Sequence, residues 1–232
     1  MRTAGIVGGI GPESTIQYYR QIVELYRDRM PDGSYPPVIV NSIDMTKMLN
    51  LIGADRLQEV TEFLLEEVRK LSRAGADFGA LASNTPHVVF AALQRQSPIP
   101  LISIVASACH AAQAAGLKRV ALFGTRFTMQ GHFYPDAFAA AEIAVVAPKP
   151  DEQSYIHDKY MSELVKGVYL SETRTRLLDI VGQMRIREGI DGVVLGGTEL
   201  PLILTAAQYL GVPLLDTTRL HVEQIVAEML RA

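Results

Sequence analysis

Polar side chains that could bind or protonate a small substrate follow two of the apolar runs in this chain. The first group is Ser83-Asn84-Thr85-Pro86-His87, and the second is Gly197-Thr198-Glu199. Hydroxyl and amide groups at the start of a helix either cap that helix or hold a carboxylate together with backbone N–H groups. The imidazole of His87 and the carboxyl group of Glu199 could act as bases if a pocket desolvates them. The sequence leaves capping and substrate binding open at both places.

A glycine-rich turn, Gly8-Gly9-Ile10-Gly11-Pro12, precedes a predicted helix. Glycines allow a tight turn with exposed N–H groups, and the helix N-terminus favours an anion. A dinucleotide fingerprint would need a third glycine where Ser14 stands and an acidic residue about twenty residues further on. Asp44, which we place at the end of the second strand, comes about thirty residues on. The pattern favours a small carboxylate-binding turn at Gly9 and Gly11, or a plain strand–helix connection, over a nucleotide site.

The segment Gly124–Met129 offers a third polar group at a strand end. The hydroxyls of Thr125 and Thr128 and the guanidinium of Arg126 could hold an anion, although Arg126 alone is typical of a solvated loop. The single cysteine, Cys109, is predicted to be a small buried apolar residue. Because no His and carboxylate spacing resembles a metal motif such as HExxH, no metal is predicted.

Composition limits the class of protein. The 232 residues are 48% hydrophobic and 20% charged, with a net charge of −3. This apolar content supports a sizeable core and excludes a disordered chain, and the charge gives no indication of nucleic acid or an anionic membrane as partner. One cysteine excludes an intrachain disulfide framework. Without a signal peptide or an apolar run of about 20 residues, the chain is predicted to be soluble and cytoplasmic.

Short apolar runs alternate with amphipathic segments along the chain. Runs of this kind predict strands buried on both faces of a parallel sheet; they are Ala4–Gly8, Pro37–Ser42, Phe78–Ser83, Pro100–Ile104, Arg119–Gly124, Ile143–Ala147, Gly192–Gly196 and Val212–Asp216. Apolar residues at three- and four-residue spacing predict a helix over Asp55–Gly75, and another begins at Ser171. The alternation predicts an α/β fold of mostly parallel sheets flanked by helices.

A weak internal repeat divides the chain. Residues 76–87 resemble residues 190–201: each segment has Asp in second place, runs through a strand and ends in a Thr followed shortly by Pro. The repeat predicts two similar lobes, the first formed by residues 1–114 with 211–232 and the second by residues 115–210. Because ligands in α/β folds bind at the carboxyl ends of strands, we expect a pocket between the lobes.

Five ordered segments resemble the aspartate/glutamate racemase family, in its amino-acid racemase branch: GIVGGIGPESTIQYY, ASNTPH, ALFGTRFTMQGHFY, GGTELP and DTTRLHVE. The resemblance implies two α/β lobes with a substrate pocket between them, a homodimer and no pyridoxal phosphate or other cofactor. It also implies a small amino acid or carboxylate as substrate, with Gly9, Gly11, Asn84, Thr85, Thr125, Thr128 and Thr198 as binding residues. Racemases of this family use two cysteines on opposite faces of the substrate α-carbon.

Both cysteine positions differ in this chain. The first thiol of the family pattern falls at Ser83 and the second at Gly197. A serine hydroxyl is a far poorer base than a thiolate, and glycine has no side chain. Glu199 and His87 remain as ionisable groups at positions where the family pattern has the same residues, which favours a supporting role for both. His157 and His221 are predicted to be structural or solvated.

Three functions remain open from the sequence. One is a cofactor-independent amino-acid racemase or isomerase with impaired two-thiol chemistry. Another is a decarboxylation or elimination in the same pocket, which needs a proton donor on one face only. The last is a catalytically silent binding protein that keeps the carboxylate-binding groups. We expect side-chain specificity to reside in loops at Asp44–Asn50 and Lys149–Ser154.

Overall fold

Alternating strands and helices build two parallel sheets, one in each of two units of the chain. The computed structural model describes residues 1–231. The first unit is Met1–Ile104 with the segment from His221 onward, and the second is Val105–Leu220. The first unit contains β1 (Ala4–Gly8), α1 (Pro12–Arg29), β2 (Val38–Ser42), α2 (Met45–Gly53), α3 (Leu57–Arg73), β3 (Phe78–Leu81), a 3-10 helix (Thr85–Val89), α4 (Phe90–Gln96) and β4 (Leu101–Ile102).

The remaining elements belong mainly to the second unit. They are α5 (Ile104–Ala114), β5 (Arg119–Gly124), α6 (Arg126–Gln130), α7 (Phe133–Ala139), β6 (Ala144–Val146), α8 (Pro150–Ser162), a 3-10 helix (Leu164–Lys166), α9 (Ser171–Glu188), β7 (Gly192–Gly196), α10 (Leu200–Ile203), β8 (Gln208–Tyr209), β9 (Val212–Asp216) and α11 (Thr217–Met229). The final helix, α11, begins in the second unit and ends in the first.

The first sheet has the strand order β2-β1-β3-β4, and all of its pairs are parallel. Every residue of β1 and β3 is buried, as expected for strands covered by helices on both faces. The predicted apolar stripe of α3 is confirmed, since Val60, Leu64, Val68 and Leu71 are all buried. The carboxyl ends of the four parallel strands therefore meet at one edge of this sheet.

The second sheet has the order β6-β5-β7-β9-β8, in which only β8 is antiparallel to its neighbour. Without β8, both sheets follow one order, in which the first strand of the unit lies between the second and the third. The aspartates of the internal repeat also make matching bonds. The Thr3 N–H donates to the Asp77 carboxylate at 2.7 Å, and the Lys118 N–H donates to the Asp191 carboxylate at 2.7 Å.

The predicted α/β class is confirmed, and four strands have the predicted bounds: β1, β5, β7 and β9. Two predictions about local structure are wrong. The segments Asp44–Asn50 and Lys149–Ser154 are not loops, because each lies at the start of a helix, α2 and α8. Asp44 does not end β2; its carboxylate caps α2 by accepting the N–H groups of Thr46 and Lys47.

Candidate functional site

The glycine turn between β1 and α1 is fixed by close packing and by a hydrogen bond within the turn. Gly9 and Gly11 have φ values of +79° and +86°, which disfavour other residues. A Cβ at Gly9 would lie 2.5 Å from the carbonyl oxygen of Ile43, just beyond β2. The Gly9 N–H donates to Thr15 Oγ1 at 2.8 Å. This N–H is therefore satisfied inside the turn, which weakens the hypothesis that it binds an anion.

The segment that follows β3 lies at the same edge of the first sheet. Ser14 Oγ donates to the carbonyl of Ala82 at 3.0 Å, which joins the start of α1 to the end of β3. Ser83, Asn84 and Thr85 are all buried there. Asn84 precedes the 3-10 helix, but its side chain makes no capping hydrogen bond. Capping therefore does not explain a buried asparagine at this strand end.

His87 is a neutral, fully engaged histidine. Its Nδ1 lies 3.0 Å from the Ser83 carbonyl, and its Nε2 accepts the Ile104 N–H at 3.3 Å. These partners assign the proton to Nδ1. Burial lowers the pKa of His87 to about 3, with a further contribution from His221. The ring also stacks on Phe90, with 4.6 Å between ring centroids. These contacts argue for a structural role and against a base at this position.

His221 and Cys109 are also structural. His221 Nδ1 lies 2.7 Å from the Tyr18 hydroxyl and its Nε2 lies 3.0 Å from the Ile102 carbonyl, and burial lowers its pKa to about 4. The prediction of a structural histidine is confirmed by these contacts. Cys109 lies in α5, where its Sγ donates to a backbone carbonyl at 3.6 Å and burial raises the pKa of the thiol.

In the second unit, a pair of threonines lies at the carboxyl end of β5. Thr125 caps α6 by accepting the Thr128 N–H at 3.3 Å, and the two hydroxyl oxygens are 3.2 Å apart. The glycines that end β5 and β7 allow these strands to pack closely, since a Cβ at Gly124 would lie 2.6 Å from the Gly196 carbonyl oxygen. A Cβ at Gly196 would lie 3.1 Å from the Thr128 methyl carbon. Thr128 is thus placed next to the segment Gly197–Glu199.

The carboxylate of Glu199 is the centre of a buried polar cluster. Thr198 Oγ1 donates to it at 3.0 Å, and the hydroxyl of Tyr160 donates to the same oxygen. Thr198 and Glu199 are each about 2% exposed or less. Glu199 begins α10 but makes no capping bond with its side chain. The structure therefore brings together Thr125, Thr128, Thr198 and Glu199 at one edge of the second sheet.

Tyr160 is the residue of this cluster that the sequence analysis missed. A Cβ at Gly197 would overlap Cε2 of the Tyr160 ring and would lie 3.0 Å from Cζ and 3.2 Å from the hydroxyl oxygen. Gly197 does not have a positive φ, so its backbone does not require glycine. Burial, with the charge of Glu199 second, raises the pKa of Tyr160 well above its ordinary value. A glycine whose backbone conformation does not require glycine was the available signal for a large neighbour.

Helix α8 carries Tyr160 to this edge. One turn before the tyrosine, His157 Nδ1 accepts the backbone N–H of Arg126 at 3.2 Å, which ties α8 to the start of α6. Burial lowers the pKa of His157, and the charge of Arg126 contributes. The Arg126 side chain is exposed, as predicted, but the residue begins α6 and does not lie in a loop.

A model of the family described as Asp/Glu/Hydantoin racemase matches residues 7–225. The chain belongs to this family. A candidate Asp/Glu racemase from Yersinia pestis superposes with a TM-score of 0.90 at 26% identity, covering 100% of both chains. An aspartate racemase homologue from Pyrococcus horikoshii gives 0.84 at 30% identity, again over 100% of both chains. The broad specificity amino-acid racemase RacX of Bacillus subtilis is 28% identical over 56% of this chain and 57% of its own length.

The resemblance stated from the five sequence segments is thus confirmed at the level of the family. Within residues 1–231, no group of three or more His, Cys, Asp or Glu side chains is arranged to hold a metal ion. Over the same residues, none of the helices has the length and apolar character needed to cross a membrane.

Proposed function

We propose that this racemase-family protein binds a small amino acid or carboxylate of the aspartate or glutamate type, with two-thiol racemisation impaired or absent. The names of its relatives support the substrate class, since they include an aspartate racemase homologue and an amino-acid racemase. The proposed binding residues lie at the carboxyl ends of strands, where α/β folds bind ligands; they are Gly11, Asn84, Thr85, Thr125, Thr128 and Thr198, with Glu199 and His87 in supporting roles and Gly9 shaping the turn.

The proposal rests on the glycine at position 197 and on the tyrosine ring that packs against it. The family pattern assigns its second thiol to this position, and here a glycine leaves that space to the ring of Tyr160. The first thiol position is Ser83, whose hydroxyl does not ionise in the range where a cysteine does. Cys109, the single cysteine of the sequence, is buried in α5 and bonded to a backbone carbonyl. The described residues contain one cysteine, so they cannot supply a pair of thiols.

The same observations favour ligand binding without proton exchange over a lyase reaction. A lyase reaction in this pocket still needs one proton donor that returns to its starting state, and both positions of the family's thiols lack a cysteine here. His87 is neutral and engaged at both ring nitrogens, so it is poorly suited to replace the thiol. Tyr160 has a raised pKa, which makes its hydroxyl a donor of hydrogen bonds and a poor base.

The test is proton NMR in deuterated water. The protein is incubated with both enantiomers of a panel of amino acids and with dicarboxylates that lack an amino group. We expect saturation transfer or line broadening for one or a few ligands, without loss of the α-proton signal. Loss of the α-proton signal would contradict the absence of proton exchange, and no binding by any member would contradict the substrate class.

A pair of variants locates the binding residues. Thr198→Val keeps the shape of a buried threonine but removes its hydroxyl, so we expect weaker binding of the same ligand. Thr175→Val is the matched control. Thr175 is an exposed threonine of α9 whose hydroxyl donates to the Ser171 carbonyl of the same helix. Equal affinities for the two variants would remove Thr198 from the site.

A further inference from the structure

We propose that Tyr160 takes the place of the family's second thiol: its ring fills the space of a side chain at position 197, and its hydroxyl positions Glu199 for the substrate. This inference rests on the proposed function for the assignment of position 197 to the substrate site. Tyr160 acts through Glu199, so it is a positioning residue and not a catalytic one.

The Tyr160 ring occupies the space that a side chain at position 197 would need. Gly197 follows directly after β7, and any Cβ there would overlap the tyrosine ring, with the hydroxyl oxygen 3.2 Å away. A cysteine would extend one atom further into the same space. The ring itself is held at this place because α8 is attached at two points: His157 accepts the Arg126 N–H, and Glu152 pairs with Arg187 of α9. Glycine at 197 and tyrosine at 160 are therefore a complementary pair.

The hydroxyl of Tyr160 orients the Glu199 carboxylate. Tyr160 and Thr198 both donate to one oxygen of the Glu199 carboxylate, and all three side chains are buried. Two donors fix the direction of the carboxylate. Because burial and the nearby carboxylate raise the pKa of Tyr160, the phenol stays protonated and keeps donating throughout the physiological range. A fixed carboxylate attracts the ammonium group of an amino acid and repels an additional carboxylate, which favours amino acids over amine-free dicarboxylates.

A thermal denaturation cycle tests the steric part without any ligand. We expect Gly197→Ala to lower the Tm by about 5 °C, because the new Cβ must displace a packed ring. In a Tyr160→Ala background, the same substitution should change the Tm by less than about 2 °C. Gly182→Ala is the matched control, since its Cβ would make only one ordinary contact, 3.4 Å from Leu210. An equal loss from Gly197→Ala in both backgrounds would overturn the steric pairing.

A second experiment tests the positioning role. Tyr160→Phe keeps the ring and removes the donor, so the affinity for the amino acid found by NMR should fall about tenfold. The preference for that amino acid over the matching amine-free dicarboxylate should also fall, because the Glu199 carboxylate loses a donor that fixes its direction. A role in packing alone would leave this preference in place.

The outcomes separate this inference from the proposed function. If Tyr160→Phe binds the amino acid with unchanged affinity and an unchanged preference over the amine-free dicarboxylate, the positioning role is wrong while the proposed function stands. If the wild-type protein binds none of the panel, the proposed function and the positioning role both fail. The stability cycle is decided in either case, because it needs no ligand.

Discussion

Buried histidines set a pH limit on this fold at the scale of single residues. His87 and His221 have pKa values lowered to about 3 and about 4, mainly by burial, whereas an unfolded chain binds the proton near pH 6.5. As the pH falls below 6.5, the unfolded state therefore takes up protons first. Stability is complete above that pH and decreases as the pH falls towards 4.

We expect the free energy of unfolding to drop by about 2 kcal/mol for each of these histidines between pH 6.5 and 5. Urea denaturation at both pH values measures the drop. His87→Gln does not titrate, so the pH dependence should become about half as steep. The matched control is His132→Gln, which removes an exposed histidine and leaves both buried rings in place. A wild-type stability that is flat over this range would contradict the neutral assignment of the buried rings.

At the scale of elements, the β1–α1 turn requires Gly9 both for its backbone conformation and for its packing. Gly9 and Gly33 have similar φ values, +79° and +73°, but a Cβ at Gly33 would meet no atom within 4 Å. We expect Gly33→Ala to cost about 1 kcal/mol of stability, the cost of the backbone conformation alone. Gly9→Ala should cost about 2 kcal/mol more, since its Cβ would press on the chain after β2. Chemical denaturation of both variants gives the difference, and equal losses would show that packing plays no part.

The helix pair α8–α9 is joined by an ion pair that also supports the candidate site. Arg187 makes two bonds to the buried Glu152 carboxylate, at 2.9 and 3.2 Å, and Glu152 also accepts the Lys149 N–H. Removing the arginine alone leaves a buried carboxylate without its cation, so Arg187→Met should cost about 3 kcal/mol.

The double variant Arg187→Met/Glu152→Met should recover much of this loss, because no buried charge is then left unpaired. Urea denaturation of the single and double variants measures the recovery. As a control, Arg73→Met breaks an exposed, solvent-screened pair with Glu66 and should leave stability nearly unchanged. Additive losses from the two substitutions would contradict the pairing.

Elements with a strong local pattern could be predicted from the sequence, and those that depend on partners could not. Strands such as β1 and β7 are continuous apolar runs that end at glycine, so their bounds follow from hydrophobicity and turn signals. The two-residue β8 is too short to carry a pattern and exists because β9 pairs with it. The start of α8 depends on Glu152 accepting the Lys149 N–H, a bond that a run of polar residues does not reveal.

The candidate site follows the same division. The polar residues that follow β3 and β7 were found because strand ends are recognisable in sequence. Tyr160 was not found, since it is one aromatic residue in a helix and its relation to Gly197 exists only after α8 packs on the strand end. His87 was a candidate base until its two nitrogens were seen to bond to backbone groups.

At the scale of the whole molecule, the internal repeat corresponds to two sheets that have the same strand order when β8 is left out. Each unit uses one aspartate before its third strand to accept a backbone N–H from the residues that begin its first strand. Asp77 serves the first sheet and Asp191 the second, at equivalent places in the repeated segments. The same local device in both units accounts for the resemblance between residues 76–87 and 190–201 better than chance similarity of apolar runs.

Because the two aspartates occupy equivalent places, we expect substitution of each one to destabilise its own sheet to a similar extent. Asp77→Asn and Asp191→Asn each weaken a charge-assisted bond, the first at an exposed residue and the second at a half-buried one, so each should cost about 1 kcal/mol or less. Hydrogen exchange should show reduced protection of β1 and β3 in the first variant and of β5 and β7 in the second, because each bond joins strands of one sheet. Asp28→Asn, at an exposed helical position of α1, should alter neither pattern. A loss of protection in the wrong sheet, or a large effect from only one of the two aspartates, would mean that the repeated aspartates do not have the same role.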